Sequence, residues 1–267
     1  MSAMIGDERV FSGTKCSFDQ FNEEVSVVNQ VEQAIDKAGD WFEEVIIGQH
    51  HINTKKLTSI KKFQINPMLL PYLSHCVQGE ISGESIARAL VYPRVFGTSI
   101  TGSFGTNIQT FITDVIAGSF GSVTAGLDIE FTDKIDHRRK YSQIKLGPNT
   151  INKDDVKTIH DHFKDIRNRA KLHKMGIQQQ DYVVVIMYGT ADDLSAHYKK
   201  LRDEYDYTLY VGEEFWERLT SDKEFFSKLN GEFRKRITAS SLNTLIEEVV
   251  DDLSRSKEIT DLVKQWS

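Results

Sequence analysis

The chain has 267 residues and carries 33 Lys and Arg against 39 Asp and Glu, a net charge of −6, with 39 % hydrophobic and 27 % charged residues. That length encloses a sizeable core, and the composition is that of an ordinary globular protein, neither disordered nor fibrous. The acidic balance excludes a globally basic nucleic-acid coat, no apolar run reaches the about 18 residues that span a membrane, and Cys16 and Cys76, with no CxxC spacing, exclude a zinc or disulfide framework.

Met1 to Arg9 has no apolar stretch of signal-peptide type, so a soluble intracellular protein is expected. Phe21, Val25, Val28, Ile35, Phe42 and Ile46 recur at helical spacing, which predicts one long amphipathic helix or two shorter ones over 18–47. Pro67 and Pro71 bound a loop or helix start, and 82–91 predicts a helix. Gly97, Gly102 and Gly105 then interrupt the pattern, implying a turn before a further helix over 106–116. They do not form a dinucleotide fingerprint, and neither a P-loop nor a nucleophile elbow is present.

The pattern changes at GLDIEF, 126–131, where Leu127, Ile129 and Phe131 alternate with Asp128 and Glu130. KYSQIKL, 140–146, alternates more loosely, and the polar stretch between them predicts a hairpin. Pro148 ends it. A helix follows over about 153–173 with Val156, Ile159, Phe163, Ile166 and Ala170 inward. YVVVIMYG, 182–189, reads as a buried strand. A helix over 191–203, a short strand over 207–211 and helices to the end complete the pattern, the last long one striped by Leu242, Leu245, Ile246, Val249, Val250 and Leu253.

Charge is uneven. Asp133 to Lys174 holds 12 Lys and Arg against 6 Asp and Glu, so the remainder of the chain carries −12. A basic segment beside the hairpin suits either a solvated helix face or a phosphodiester backbone.

Residues two apart on a strand share a face. Asp128 and Glu130 are therefore expected on one side of the first hairpin strand, and Gln143 and Lys145 on one side of the second, with Leu127, Ile129, Phe131 and Ile144 opposite. Two carboxylates and a carboxamide oxygen suit a hard cation such as Mg²⁺. Lys145 would offset charge developing on a phosphoryl transition state. The alternative is a surface hairpin with a polar outer face. For Glu130 two roles stand side by side: a metal ligand, or an ion-pair partner for a Lys or Arg of the basic segment.

Asp128 followed by Gln143-Ile144-Lys145 resembles the D…(D/E)xK signature of the PD-(D/E)XK nuclease superfamily. The stretches FGTSITGSFGTNIQ, GLDIEF, YSQIKLGPNTINKDDV and YVGEEFWERLT, over roughly residues 90–220, resemble type II restriction endonucleases of the PmeII kind. The resemblance implies an α/β fold: a restriction-endonuclease-like core, a mixed β-sheet flanked by helices, with additional N- and C-terminal helices. A single domain over 1–267 would comprise mainly helical N-terminal residues 1–90, a nuclease core 91–215 and C-terminal helices 216–267. The activity implied is Mg²⁺-dependent hydrolysis of double-stranded DNA at a short specific site, in a prokaryotic cytoplasm. Asp128 matches the metal-binding Asp, Gln143 the (D/E) position, the backbone carbonyl of Ile144 a further ligand and Lys145 the catalytic Lys. Gln143 departs from the strict motif and removes one negative charge from the metal shell. Glu130 is a candidate to replace it, and Glu84, on the helix upstream, is another.

DNA contacts are expected from Arg138 and Arg139 at the hairpin tip and from Asn149, Thr150, Asn152, Lys153 and Lys157 at the start of the basic helix, where N-terminal amides favour phosphate. Asn107 and Gln109 are candidates for contact with the site or DNA. His160 and His162 are expected at the surface or facing DNA rather than on a metal. A palindromic site implies a homodimer, with the long N-terminal helix and the 242–253 stripe as candidate surfaces, and a cognate methyltransferase as a separate protein. A catalytically inactive DNA-binding protein and a structure-specific repair or recombination nuclease are the alternatives.

Overall fold

The computed structural model describes residues 18–116, 119–122, 125–238 and 241–266; Cys16, the stretch Met1 to Arg9 and the side chains of Phe21, Val25 and Val28 lie outside the described set. The predicted first helix is α1 (Phe18–Trp41), continued by a π-helical turn, Phe42–Ile47, into α2 (Gly48–Lys55). Helix α3 (Leu70–Gln78) starts with Pro71 in its first turn, where a missing N–H costs nothing. Helix α4 (Gly83–Pro93) is capped by Ser82 and Ser85, each side chain bonding the other's main-chain N–H.

The glycines do not break the chain as expected. A second π-helical turn, Arg94–Ser99, leads directly into α5 (Ile100–Val115), which runs through Gly102 and Gly105. A glycine inside a helix costs roughly 0.5–1 kcal/mol against alanine. Burial of Ile108, Phe111, Ile112 and Val115 outweighs that, at about 1.5–3 kcal/mol for each large side chain.

A five-stranded sheet follows, in the order β1 (Ser119–Gly121), β2 (Ile129–Thr132), β3 (Arg139–Lys145), β4 (Tyr182–Ile186) and β5 (Thr208–Val211). The first three strands are antiparallel, with Glu130 opposite Tyr141; β3–β4 and β4–β5 are parallel, with Lys145 opposite Ile186. The hairpin expected from the alternation is therefore present, and β1 is an addition too short to leave a period in the sequence. The apolar run at 182–189 is an interior strand, β4, which ends at Ile186 with every residue of it buried. Burial on both faces is what a continuous rather than alternating run reports.

Helix α6 (Lys153–Leu172) connects β3 to β4. Asn152 accepts from the N–H groups of Asp154 and Asp155, and the Asp155 carboxylate accepts from the Asn152 N–H in return. Its predicted inward face is buried in full. Helix α7 (Ala196–Asp203) is shorter than expected, a 3₁₀ turn occupying 191–193. Helices α8 (Glu213–Thr220), α9 (Phe225–Thr238), α10 (Leu242–Ser254) and α11 (Lys257–Trp266) complete the fold.

Ile129, Phe131, Ile144, Val183, Val185 and Tyr210 form one sheet face, covered by α1, α5, α8 and α9. Tyr182, Val184, Ile186 and Val211 form the other, under α6 and α7. Leu127 was expected with Ile129 but joins the α6 side. The reason is local: the Asp128 N–H donates to the Ser142 carbonyl at 2.9 Å, and Ser142 is also the partner of Ile129. Two residues thus oppose one, as in a β-bulge, and the alternation slips. A third cluster joins α3, α4, α10 and α11. The 242–253 stripe is buried there against α4, and Val31, Ala38 and Trp41 of α1 are buried in the first cluster. The 242–253 stripe and these described residues of α1 are thus occupied within the chain.

Candidate active site

The bulge places the Asp128 carboxylate at the end of the β2–β3 ladder. Its Oδ2 accepts the Ile144 N–H at 2.6 Å, and its Oδ1 accepts Nε2 of Gln109, from α5, at 2.6 Å. The Ile144 N–H therefore points to the Asp128 side of β3. A strand residue's carbonyl points the same way as its N–H, and the next carbonyl, of Lys145, faces β4 and accepts from Met187. The Ile144 carbonyl is thus on the side of Asp128.

Gln143 is buried, and its Nε2 lies 2.5 Å from the Gly126 carbonyl and 2.8 Å from Nδ1 of His162. The carbonyl requires a donor, so the amide nitrogen is fixed there, and Oε1 accepts from no group among the described residues. Gly126 has φ +88°, and a Cβ on it would lie 2.5 Å from Cγ of His162. Only glycine permits both the backbone turn and the imidazole's approach. Lys145 lies 3.7 Å from Oδ1 of Asp155, in the first turn of α6. Burial pushes the Asp128 carboxyl up; the Ile144 amide, Lys145 and His162 act in the opposite direction.

The candidate donors at this strand end are one carboxylate, one carboxamide oxygen and one main-chain carbonyl. All are oxygen, and their one carboxylate, with a carboxyl raised by desolvation that a cation would relieve, fits Mg²⁺, which binds through one or two carboxylates and keeps several waters. Among the described residues no cluster of three His, Cys, Asp or Glu is placed to hold a metal. The donor set here is of a different kind.

The other candidates are dispersed. Glu130 does not turn to Asp128: its carboxylate accepts from Ser122 at 2.8 Å and pairs with Arg139 at 2.8 Å. Arg138 pairs with the buried Asp181. Both hairpin arginines are thereby engaged inside the fold. Glu84 binds Arg88 on α4 and Gln78 at the end of α3, and Asn107 donates to the Ser103 carbonyl. Thr150 donates to the Gly147 carbonyl and Asn152 caps α6, while Asn149, Lys153 and Lys157 are exposed beside them. His160 lies 3.0 Å from the Tyr207 hydroxyl. His162, expected at the surface or facing DNA, instead belongs to the site. So does Asp155, which the sequence pattern does not single out. One clue to His162 exists in the sequence: Gly126 stands directly before the Leu-Asp pair, where a close neighbour forbids a side chain.

The model of one protein family, described as type II restriction endonuclease EcoO109I, matches residues 30–239. No curated protein matched the chain. The family match covers well over half of the sequence. It agrees with the restriction-endonuclease reading of the motifs and does not single out the PmeII kind.

Proposed function

The chain belongs to the type II restriction endonuclease EcoO109I family, and we propose that it is a Mg²⁺-dependent endonuclease that cuts double-stranded DNA at a short specific site. The assignment of roles is supported by the placement of Asp128 on the Ile144 N–H and of the Gln143 amide on the Gly126 carbonyl at one strand end, with Lys145 the next residue along. Asp128, Oε1 of Gln143 and the Ile144 carbonyl would hold the cation. When bound, Mg²⁺ polarises a phosphoryl oxygen and makes water more acidic.

The chain's own groups do the rest. Gln109 and the Ile144 amide fix the rotamer of Asp128. His162 and the Gly126 carbonyl fix the Gln143 amide, so that its oxygen rather than its nitrogen faces the cation. Lys145, beside Asp155, orients the attacking water and offsets charge on the phosphoryl oxygens. Attack in line with the leaving 3′ oxygen leaves 5′-phosphate and 3′-hydroxyl ends. Glu130, committed to Arg139, shapes the hairpin and is not assigned to the cation. Asn149, Lys153 and Lys157 are exposed at the head of α6 and are assigned to the DNA backbone.

Cutting both strands of a palindromic site calls for two copies related by a two-fold axis, so a homodimer belongs to the proposal. A separate methyltransferase would protect host DNA, and the enzyme would act in the cytoplasm of a prokaryote. Among the described residues no helix is long and apolar enough to cross a membrane.

The test is incubation of the purified protein with unmethylated phage DNA in Mg²⁺, beside Lys145→Ala and EDTA controls. Discrete bands absent from both controls are expected, with Lys145→Ala slower by about 10²–10³-fold or more. Binding without cleavage would make the chain an inactive DNA-binding protein. A smear, or nicking at junctions, would make it a structure-specific nuclease.

A further inference from the structure

Resting on the nuclease reading, we propose that a cleft between α2 and α5 holds the sugar–phosphate backbone of the DNA flanking the bond that is cut. The cleft is about 580 Å³. Lys56, Lys62 and Arg94 line it, with the amides Gln49, Asn53 and Asn107. No Asp or Glu lines it, in a chain whose acids outnumber its bases by 39 to 33. Among the described residues none of the three cations is ion-paired; Arg94 meets only the Thr98 hydroxyl, at 2.8 Å. Three uncompensated cations facing one recess make a site for a polyanion.

Gly102 points to the same occupant. It lies inside α5 and lines the cleft, and a Cβ there would meet nothing within 4 Å. Its backbone is helical, so neither the turn nor the packing of this chain requires glycine. A glycine kept in a helix against its propensity, facing open space, leaves room for something outside the chain to approach the helix backbone. Arg94 and Thr98 sit on the π-helical turn that opens onto this cleft, a helix form that recurs at functional sites.

Helix α5 links the cleft to the candidate active site. Gly102, Thr106 and Gln109 fall on one face of α5, at spacings of four and three residues, and Gln109 is the residue bonded to Asp128. Gly102 lies about 10 Å along the helix from Gln109, a distance of about three base-pair rises along one strand. A strand whose scissile phosphate lies at Asp128 thus passes Lys56, Lys62 and Arg94 with its flanking phosphates. Phosphate contacts of this kind position the duplex and carry no sequence information.

The experiment measures binding of the full chain to a duplex of about 30 base pairs, without Mg²⁺, over a series of salt concentrations, alongside cleavage of phage DNA. Lys56→Ala, Lys62→Ala and Arg94→Ala are each expected to weaken binding equally for all sequences and to lower the slope of log K against log salt by about 1. The triple variant should lower it by about 3 while cutting phage DNA into the same fragments at higher protein concentration. Gly102→Leu should keep or raise the Tm and still weaken binding. A wild-type protein that binds and cuts, with a triple variant of unchanged slope, overturns this proposal and leaves the nuclease reading intact. Gly102→Leu with undiminished binding overturns the close approach at α5. A wild-type protein that neither binds nor cuts duplex overturns both readings together.

Discussion

The main-chain N–H of Ile144 is bonded not to a strand but to a side chain, Oδ2 of Asp128, at 2.6 Å. The carboxylate stands where the bulged β2 offers no carbonyl, and so it is at once a piece of the sheet and the principal candidate ligand.

This double role separates two substitutions. Asp128→Asn keeps an oxygen for the Ile144 amide, whereas Asp128→Ala leaves that amide unpaired at a cost of about 1–3 kcal/mol. Both are expected to abolish cleavage. Asp128→Asn should melt at or above the wild-type temperature, because it removes a charge that burial disfavours, and Asp128→Ala should melt below it. Equal melting temperatures for the two variants would remove the carboxylate from the ladder.

Gln143→Glu restores the missing negative charge but deletes the donor to the Gly126 carbonyl and to His162. The variant should need less Mg²⁺ for half-maximal cleavage and should be less stable by about 1–3 kcal/mol. A Mg²⁺ titration followed by cleavage and by melting reads both. An unchanged Mg²⁺ requirement would argue that this side chain does not face the cation.

Glu130 is committed to Arg139 and Ser122. Glu130→Gln should therefore cut DNA at a rate within a few-fold of wild type, and Arg139→Ala, which removes its partner, should behave similarly. Single-turnover cleavage rates measure this. A loss for Glu130→Gln matching that of Asp128→Asn would put Glu130 on the metal.

Asp181 anchors a buried ionic group at the base of the hairpin. Burial would raise its carboxyl, but Arg138, the Gln178 amide and Lys140 together hold it below the ordinary carboxylate range. The folded state thus binds this proton less readily than the unfolded chain. The stabilisation is complete above the ordinary carboxylate pKa of about 4 and is lost as pH falls through the lower folded value. Asp181→Asn should cost about 1–3 kcal/mol at neutral pH, since Arg138 and the buried Lys140 lose a charged partner while Lys140 keeps Asp136. Urea unfolding at neutral pH and in acid, at about pH 3, should show the deficit shrinking in acid. An equal deficit at both would exclude the ion pair as its source.

Much of this architecture is legible in the sequence because its periods are local. The inward face of α6 follows a helical repeat, and the buried run of β4 can lie only in the middle of a covered sheet. The motif residues Asp128, Gln143, Ile144 and Lys145 lie at one strand end because they sit on the two strands of one hairpin. The illegible elements depend on contacts that no window of sequence contains. Gln109 reaches Asp128 across 19 residues. His162 reaches Gln143 from the third turn of a helix whose outer face looks merely basic. The bulge that sends Leu127 to the opposite face is set by Ser142, on the neighbouring strand. Gly102 and Gly105 read as breakers because propensity is local, while the core that holds α5 helical is not. Arg138 and Arg139 read as free cations because Asp181 and Glu130 become their partners only when the sheet forms.

The pairing of α10 with α4 joins segments made far apart in time during synthesis. Helix α10 packs on α4, on α2 and on the turn at Lys56 to Thr58, and of these α2 and the turn line the basic cleft. A ribosome has made the whole sheet, including Asp128 and Lys145, before residues 242–254 exist. The strand end at Asp128 is therefore complete in sequence on a nascent chain whose cleft walls still lack the support of α10. If the cleft holds DNA as proposed, a chain stalled before α10 would be a blade without a handle.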